Sequence, residues 1–141
     1  LRASLDSAQA RMLRRIAKIP AAFISRISNA IVRKRCKAVP FSSQILKAQL
    51  RWLGHILRRP EDHPLRLVCF EPHTELRPRL TGTSWKKRRG RPRSDWAQVL
   101  ISILCKFTQK TRNELYIFIQ NKRNFNQCVE RLCSQLDPFD I

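Results

Sequence analysis

Prolines at 20, 40 and 60 divide the first sixty residues, and Pro64, Pro72, Pro78 and Pro92 follow closely behind them. A proline ring removes a backbone donor and collides with the carbonyl four residues earlier, so a regular helix does not run through such a position. The chain is thereby restricted to short helical pieces before Pro60. Irregular structure is expected between residues 60 and 93, where two of the three glycines also fall.

The pieces between the prolines carry helical apolar spacing. Leu5, Ala8, Met12, Ile16 and Ile19 predict a first helix ending at Pro20, with Arg11, Arg14, Arg15 and Lys18 around the rest of its circumference. A second, from about Ala21 to Lys37, places Ile24, Ile27 and Ile31 on one stripe and gathers Arg33, Lys34, Arg35 and Lys37 at its end, where cations complement the helix dipole. The third is a seam of Leu46, Leu50, Leu53 and Leu57 flanked by Ile45, Trp52 and Ile56, with Ser42 or Ser43 as the expected N-cap. Within the proline-rich stretch, the apolar run Leu65 to Phe70 suits a strand or a buried extended segment.

Beyond it, Ser94 is placed to cap a helix presenting Trp96, Val99, Leu100, Ile103 and Phe107. Thr111 and Glu114 have capping-box spacing. An unbroken last helix would bury Phe118, Phe125, Val129, Leu132 and Leu136. The expected fold is all-α, with about five helices in a small bundle interrupted by a Pro/Arg-rich irregular basic segment. Its parts are a basic helical region over 1–60, the Pro/Arg-rich loop over 61–93 and a C-terminal helical region over 94–141.

Charge narrows the partners. Across 141 residues, 29 Lys and Arg face 10 Asp and Glu, a formal net charge of +19. Such an excess repels itself, and a polyanion relieves the repulsion while releasing its own condensed counterions, so nucleic acid, RNA or DNA, is the first partner to consider. An anionic membrane surface is the second, and plain solvated basic faces are the bland alternative. Residues 1–60 hold 14 basic residues and one acid, Asp6, whereas 94–141 hold 6 against 5. The binding surface is therefore expected in the first two thirds, with the last third completing the core.

Five cysteines, at 36, 69, 105, 128 and 133, form no CxxC pair and are expected to be reduced thiols. No apolar run is long enough to cross a bilayer. A nuclear or cytoplasmic location is expected. The start at Leu1, with the only methionine at Met12, suggests a piece of a longer reading frame. His55, His63, Cys69 and His73 are the only candidates for zinc, and their spacings match no established ligand pattern. Glu61, Asp62, Glu71 and Glu75 face no second carboxylate cluster, so an acid/base or two-metal enzyme finds no support. No catalytic residue, metal or cofactor is assigned.

The sharpest local signal is Lys86, Lys87, Arg88, Arg89, Gly90, Arg91, Pro92, Arg93. Glycine lets the backbone approach closely and proline holds it extended, so Arg89 and Arg91 could lie along a narrow minor groove, as in the AT-hook that this segment resembles. The same residues would serve as a nuclear-import signal, and a solvated basic linker is the plain alternative. Trp52, Gly54 and His55 stand together in RWLGHILRRP. A glycine inside a helix costs roughly 1 kcal/mol against alanine, which implies close approach of a neighbouring helix or of nucleic acid. His55 reads first as a helix-surface hydrogen-bonding residue.

The order LDSAQARMLRRIAKI, RISNAIVRKRC, RWLGHILRRPEDHPLR and GRPRSDW resembles the region downstream of the polymerase core in LINE-type (non-LTR) retrotransposon reverse transcriptases. The resemblance covers roughly residues 5 to 100, and WLGHILRRPEDH is its most specific part. It implies a role beside the polymerase thumb, holding template RNA or target DNA, with the rest of the polymerase as partner. The chain has no YxDD-type aspartate pair and no recognisable endonuclease or CCHC pattern, so no polymerase activity is expected of it alone. On this reading Arg11, Arg14, Arg15, Arg33, Lys34, Arg35, Arg51, Arg58 and Arg59 contact phosphates, together with Lys86, Lys87, Arg88 and Arg93, while Arg89, Gly90 and Arg91 form the groove-binding element. The rivals are an AT-hook-like architectural DNA-binding protein and a translated retroelement relic.

Overall fold

A computed structural model describes residues 2–70 and 96–135. Among these residues every regular element is a helix: α1 (Arg2–Ile16), α2 (Ala22–Ser25), α3 (Asn29–Arg35), α4 (Phe41–Leu57), α5 (Pro64–Cys69), α6 (Trp96–Thr108), α7 (Arg112–Gln120) and α8 (Lys122–Gln135). The all-α expectation holds among the described residues, with eight helices there where about five were expected. The described chain forms two compact units, one running to Ala48 and taking in the segment from Cys133, the other from Gln49 to Leu132.

The extra helices arise at breaks that apolar spacing does not register. The stretch expected as one helix over 21–37 stops after Ser25, where Arg26 turns into the left-handed region at φ 51°, and restarts at Asn29. Ser28 is the new N-cap, its hydroxyl accepting from the Ile31 amide at 3.3 Å. The last helix breaks likewise at Asn121, whose side-chain oxygen accepts from the Asn124 amide at 3.1 Å and opens α8. The run 65–70, expected as extended, is mostly α5: Pro64 occupies the first turn, where its missing donor costs nothing, and His63 Nδ1 accepts from the Leu65 amide at 3.3 Å.

In the first unit α1 packs on α3. The face of α1 that packs is Gln9, Ala10 and Arg14, and not the expected Met12 and Ile16, which are 58% and 77% exposed. Ile24 and Ile31 are also exposed. Polar groups fix this unit. The Gln9 amide donates to the Val39 carbonyl at 2.8 Å and accepts from the Phe41 amide at 3.2 Å. Asp6 accepts from the Ser42 amide at 3.0 Å and from its hydroxyl at 2.5 Å. The N-terminus of α4 is thus capped by side chains of α1. Ser42, expected as the N-cap, lies inside the helix and is itself held by Asp6.

The second unit has an apolar interior. Leu50, Leu53 and Leu57 of the expected seam are fully buried with Ile56, while Trp52 stays outside. They share the interior with Phe70, Ala97, Leu100, Ile101, Leu104, Leu115, Ile119, Phe125, Val129 and Leu132. In α6 the buried register is Ala97, Leu100, Ile101 and Leu104, leaving Trp96 and Val99 partly exposed where both were expected inside. The capping box of α7 is present in full: the Thr111 hydroxyl accepts from the Glu114 amide, and the Glu114 carboxylate accepts from the Thr111 amide at 2.9 Å. Those bonds, with nearby Lys110, hold the Glu114 carboxyl below its ordinary range.

Gly54 has a packing reason. A Cβ at this position would lie 2.3 Å from Cε1 and 2.8 Å from Cδ1 of Phe125, so the α8 ring sits directly on the α4 backbone. Arg66 locks the end of α4 to α5 and α7. One of its nitrogens donates to the Arg59 carbonyl and the Tyr116 hydroxyl, both at 3.0 Å, the other to Glu61 at 3.2 Å, and the guanidinium lies 5.0 Å from the Tyr116 ring centroid. No disulfide joins any of the five cysteines, and burial raises the Cys128 thiol. No helix among the described residues is long and apolar enough to cross a membrane.

Candidate nucleic-acid interface

A helix that ends without glycine must still turn its chain, and in the first unit long basic residues perform that turn. Lys18, Arg26 and Lys37 take φ values of 52°, 51° and 50°. After α1 the Ile19 amide donates to the Arg14 carbonyl at 2.9 Å and the Lys18 amide to Arg15 at 3.3 Å. After α3 the Ala38 amide donates to Arg33 at 3.0 Å and the Lys37 amide to Lys34 at 3.2 Å. Both are Schellman closures with lysine at the left-handed position usually given to glycine. Each puts a cation at the negative end of a helix dipole.

The first unit therefore displays Arg11, Arg15, Lys18, Arg26, Lys34, Arg35 and Lys37 to solvent. None of them forms an ion pair among the described residues. The one acid before Ala48, Asp6, is occupied by Ser42. Lys18, Arg26 and Lys37 were not among the residues expected to bind. A visible signal was the absence of glycine where the chain must turn.

One expected phosphate contact, Arg14, is withdrawn from that surface, and a second, Arg33, is largely enclosed. Arg14 is 6% exposed, and its guanidinium donates to the carbonyls of Pro20 at 2.9 Å and of Ile27, and to Ser25 Oγ and Asn29 Oδ1 at 3.2 Å each. It closes the path from α1 to α3, with both of its Nη nitrogens engaged there. Arg33 is 7% exposed, and no enclosed nitrogen or oxygen lacks a partner among the described residues, so only its tip reaches water past a buried stem.

In the second unit, Arg51 pairs with Glu130 at 2.7 Å, both half exposed. Arg58 donates to the Ile119 carbonyl at 3.3 Å and lies 5.8 Å from the Phe125 ring centroid, and burial lowers its pKa. Arg59 is exposed, its Nη2 3.2 Å from His55 Nε2, and the His55 ring stacks on Trp52 with centroids 5.4 Å apart and planes at 16°. Lys86, Lys87, Arg88, Arg89, Gly90, Arg91 and Arg93 lie outside the described residues, as do Ser94, His73 and Leu136. Among the described residues no three His, Cys, Asp or Glu side chains converge to hold a metal, and His63 serves as a helix cap. No protein-family model, curated protein or solved structure matches this chain.

Proposed function

We propose that this chain is a nucleic-acid-binding region of a LINE-type retrotransposon reverse transcriptase, standing downstream of the polymerase core and holding template RNA or target DNA. The observation that carries the reading is the basic surface of the first unit, seven exposed cations with the one acid among its described residues, Asp6, occupied. Phosphate contacts of this kind position a polymer and read little sequence. The order of the WLGHILRRPEDH and GRPR segments supports the parentage. The region binds without catalysing, since the sequence carries no aspartate pair for magnesium. Its helices gather as a small bundle, and it acts in the nucleus or cytoplasm.

A salt titration with duplex DNA and structured RNA tests the reading. If about six phosphates are neutralised, affinity falls on the order of 10³-fold between 50 and 200 mM salt, through counterion release. A flat dependence, or no binding at low salt, overturns it. The RGRP segment favours a second reading, an AT-hook-like architectural protein. On that reading, Arg89→Ala with Arg91→Ala weakens binding to A·T-rich duplex more than to G·C-rich duplex, because the guanine amino group obstructs the minor-groove floor.

A further inference from the structure

Helix α4 turns Leu50, Leu53, Ile56 and Leu57 into the second unit and leaves Trp52 and His55 toward solvent, with exposed Arg59 in the turn two residues past its end. Trp52 and His55 are spaced i, i+3 on one face of the helix, and Arg59 joins them through its contact with His55. Trp52 is 50% exposed, and the His55 ring lies nearly parallel to it. The Arg59 guanidinium, which carries only donors, lies with Nη2 3.2 Å from His55 Nε2. Tryptophan, imidazole and guanidinium are thereby fixed in series. Nearby Arg51 is engaged with Glu130, whereas Arg59 forms no ion pair among the described residues.

We infer that this cluster is a stacking platform for an unpaired nucleobase, with the Trp52 ring receiving the base and Arg59 meeting the adjoining phosphate. The inference rests on the nucleic-acid reading and sharpens it toward single-stranded stretches, loops or ends. Three features point to this occupant. The ring is held by a stacked neighbour instead of being left to rotate, so little entropy is lost on binding. Every base offers a π-face to an aromatic ring whatever its sequence, but in a duplex those faces are already stacked. The chain's net charge of +19 selects a polyanionic partner over a neutral aromatic one.

The test compares a short oligothymidylate with an abasic sugar-phosphate oligomer of equal length and charge, at low salt, using the full chain. The wild-type protein binds the oligothymidylate more tightly, by on the order of 5- to 150-fold for one stacked base. Trp52→Ala erases that difference while leaving affinity for the abasic oligomer and for duplex DNA unchanged, and Trp52→Phe retains most of it. Because Trp52 lies outside the apolar interior, the helical circular-dichroism signal of both variants matches wild type. Equal binding of the two oligomers by wild type overturns the platform and leaves the phosphate-binding reading standing. A base-dependent difference that survives Trp52→Ala has the same meaning. Binding of neither oligomer nor duplex removes both.

Discussion

The two units are held together by different physics. Among the described residues the first unit fully buries three apolar side chains, Ala10, Val32 and Leu46, and the second buries fourteen. Burying one large apolar side chain contributes roughly 1.5–3 kcal/mol, so the second unit has a hydrophobic interior and the first has little of one. In the first unit the corresponding role falls to Arg14, Gln9 and Asp6, whose side chains saturate carbonyls, amides and hydroxyls at helix ends. The unit with the smaller core displays its cations with no exposed acid among its described residues, whereas the second unit sets its exposed Arg and Lys among exposed Glu61, Asp62, Glu114 and Glu130. On the proposed reading, a polyanion settling on this self-repelling surface would stabilise its lightly packed frame, and binding would be coupled to ordering there.

The largest test of this contrast is Phe125→Ala. It removes the ring seated on Gly54 and costs about 3–5 kcal/mol in urea denaturation, whereas Val32→Ala in the first unit costs less than half as much. Equal costs would break the comparison. Arg14→Met follows, at about 2–4 kcal/mol, because it removes the guanidinium donors to the Ile27 carbonyl and Asn29 Oδ1 and leaves the Pro20 carbonyl with Ser25 Oγ alone. Amide hydrogen exchange across α2 and α3 should accelerate while that of α8 does not. Unchanged protection over residues 29–35 would show that the polar clamp is not what holds the unit.

Gly54→Ala should destabilise by about 1–3 kcal/mol although alanine is the better helix former, since the added methyl meets a rigid ring. The double variant with Phe125→Leu should recover part of the loss. A stabilising Gly54→Ala would mean that α8 does not pack against α4 as described. Lys37→Gly should act in the opposite direction, gaining about 1 kcal/mol by relieving a left-handed non-glycine residue. On the proposed reading the same substitution removes one phosphate contact, so stability should rise as salt-dependent affinity falls. This opposition would be found only if the turn residues of the first unit are also its binding residues.

The smallest effect belongs to the capping box. Thr111→Ala should cost about 1 kcal/mol. The Glu114 carboxyl is lowered in the folded chain by its bonds from Thr111, so its stabilising contribution is present above the ordinary carboxylate range and disappears as pH falls through the lowered folded value. Wild type should exceed Glu114→Gln in thermal stability at neutral pH, and the difference should vanish in strong acid. A difference independent of pH would assign the cap to the hydroxyl alone.

How far the sequence was legible varied with the kind of interior. The leucine seam of α4 and the Phe125, Val129 and Leu132 stripe of α8 lie inside as their spacing required, and the Thr111–Glu114 signature opened a helix where it stood. In the first unit the same reasoning chose Met12, Ile16, Ile24 and Ile31 and was misled. The packing face of α1 is carried by Gln9 and Arg14, residue types that periodicity counts as polar. Of the candidate site, Arg11, Arg15, Lys34, Arg35 and Arg59 are exposed, Arg14 is engaged with neighbouring carbonyls and side chains, and Arg33 presents only its tip. Lys18, Arg26 and Lys37 were missed because a left-handed turn leaves no charge signature of its own.

By itself the sequence determined the helical class, through proline spacing and apolar periodicity, and the excess of cations, through composition. Both are sums over local properties that do not depend on which residues meet. Tertiary structure alone decided which cations reach solvent. Whether an arginine binds a phosphate or its own backbone depends on carbonyls brought within 3.5 Å of it, and for Arg14 those come from Pro20 and Ile27, presented by a turn whose left-handed residue no periodic pattern announces. Tertiary structure also explained Gly54, whose missing side chain becomes intelligible only when Phe125, 71 positions later in the chain, is placed against it. A contact across that distance in sequence carries no local propensity, so nothing short of the folded chain could specify it.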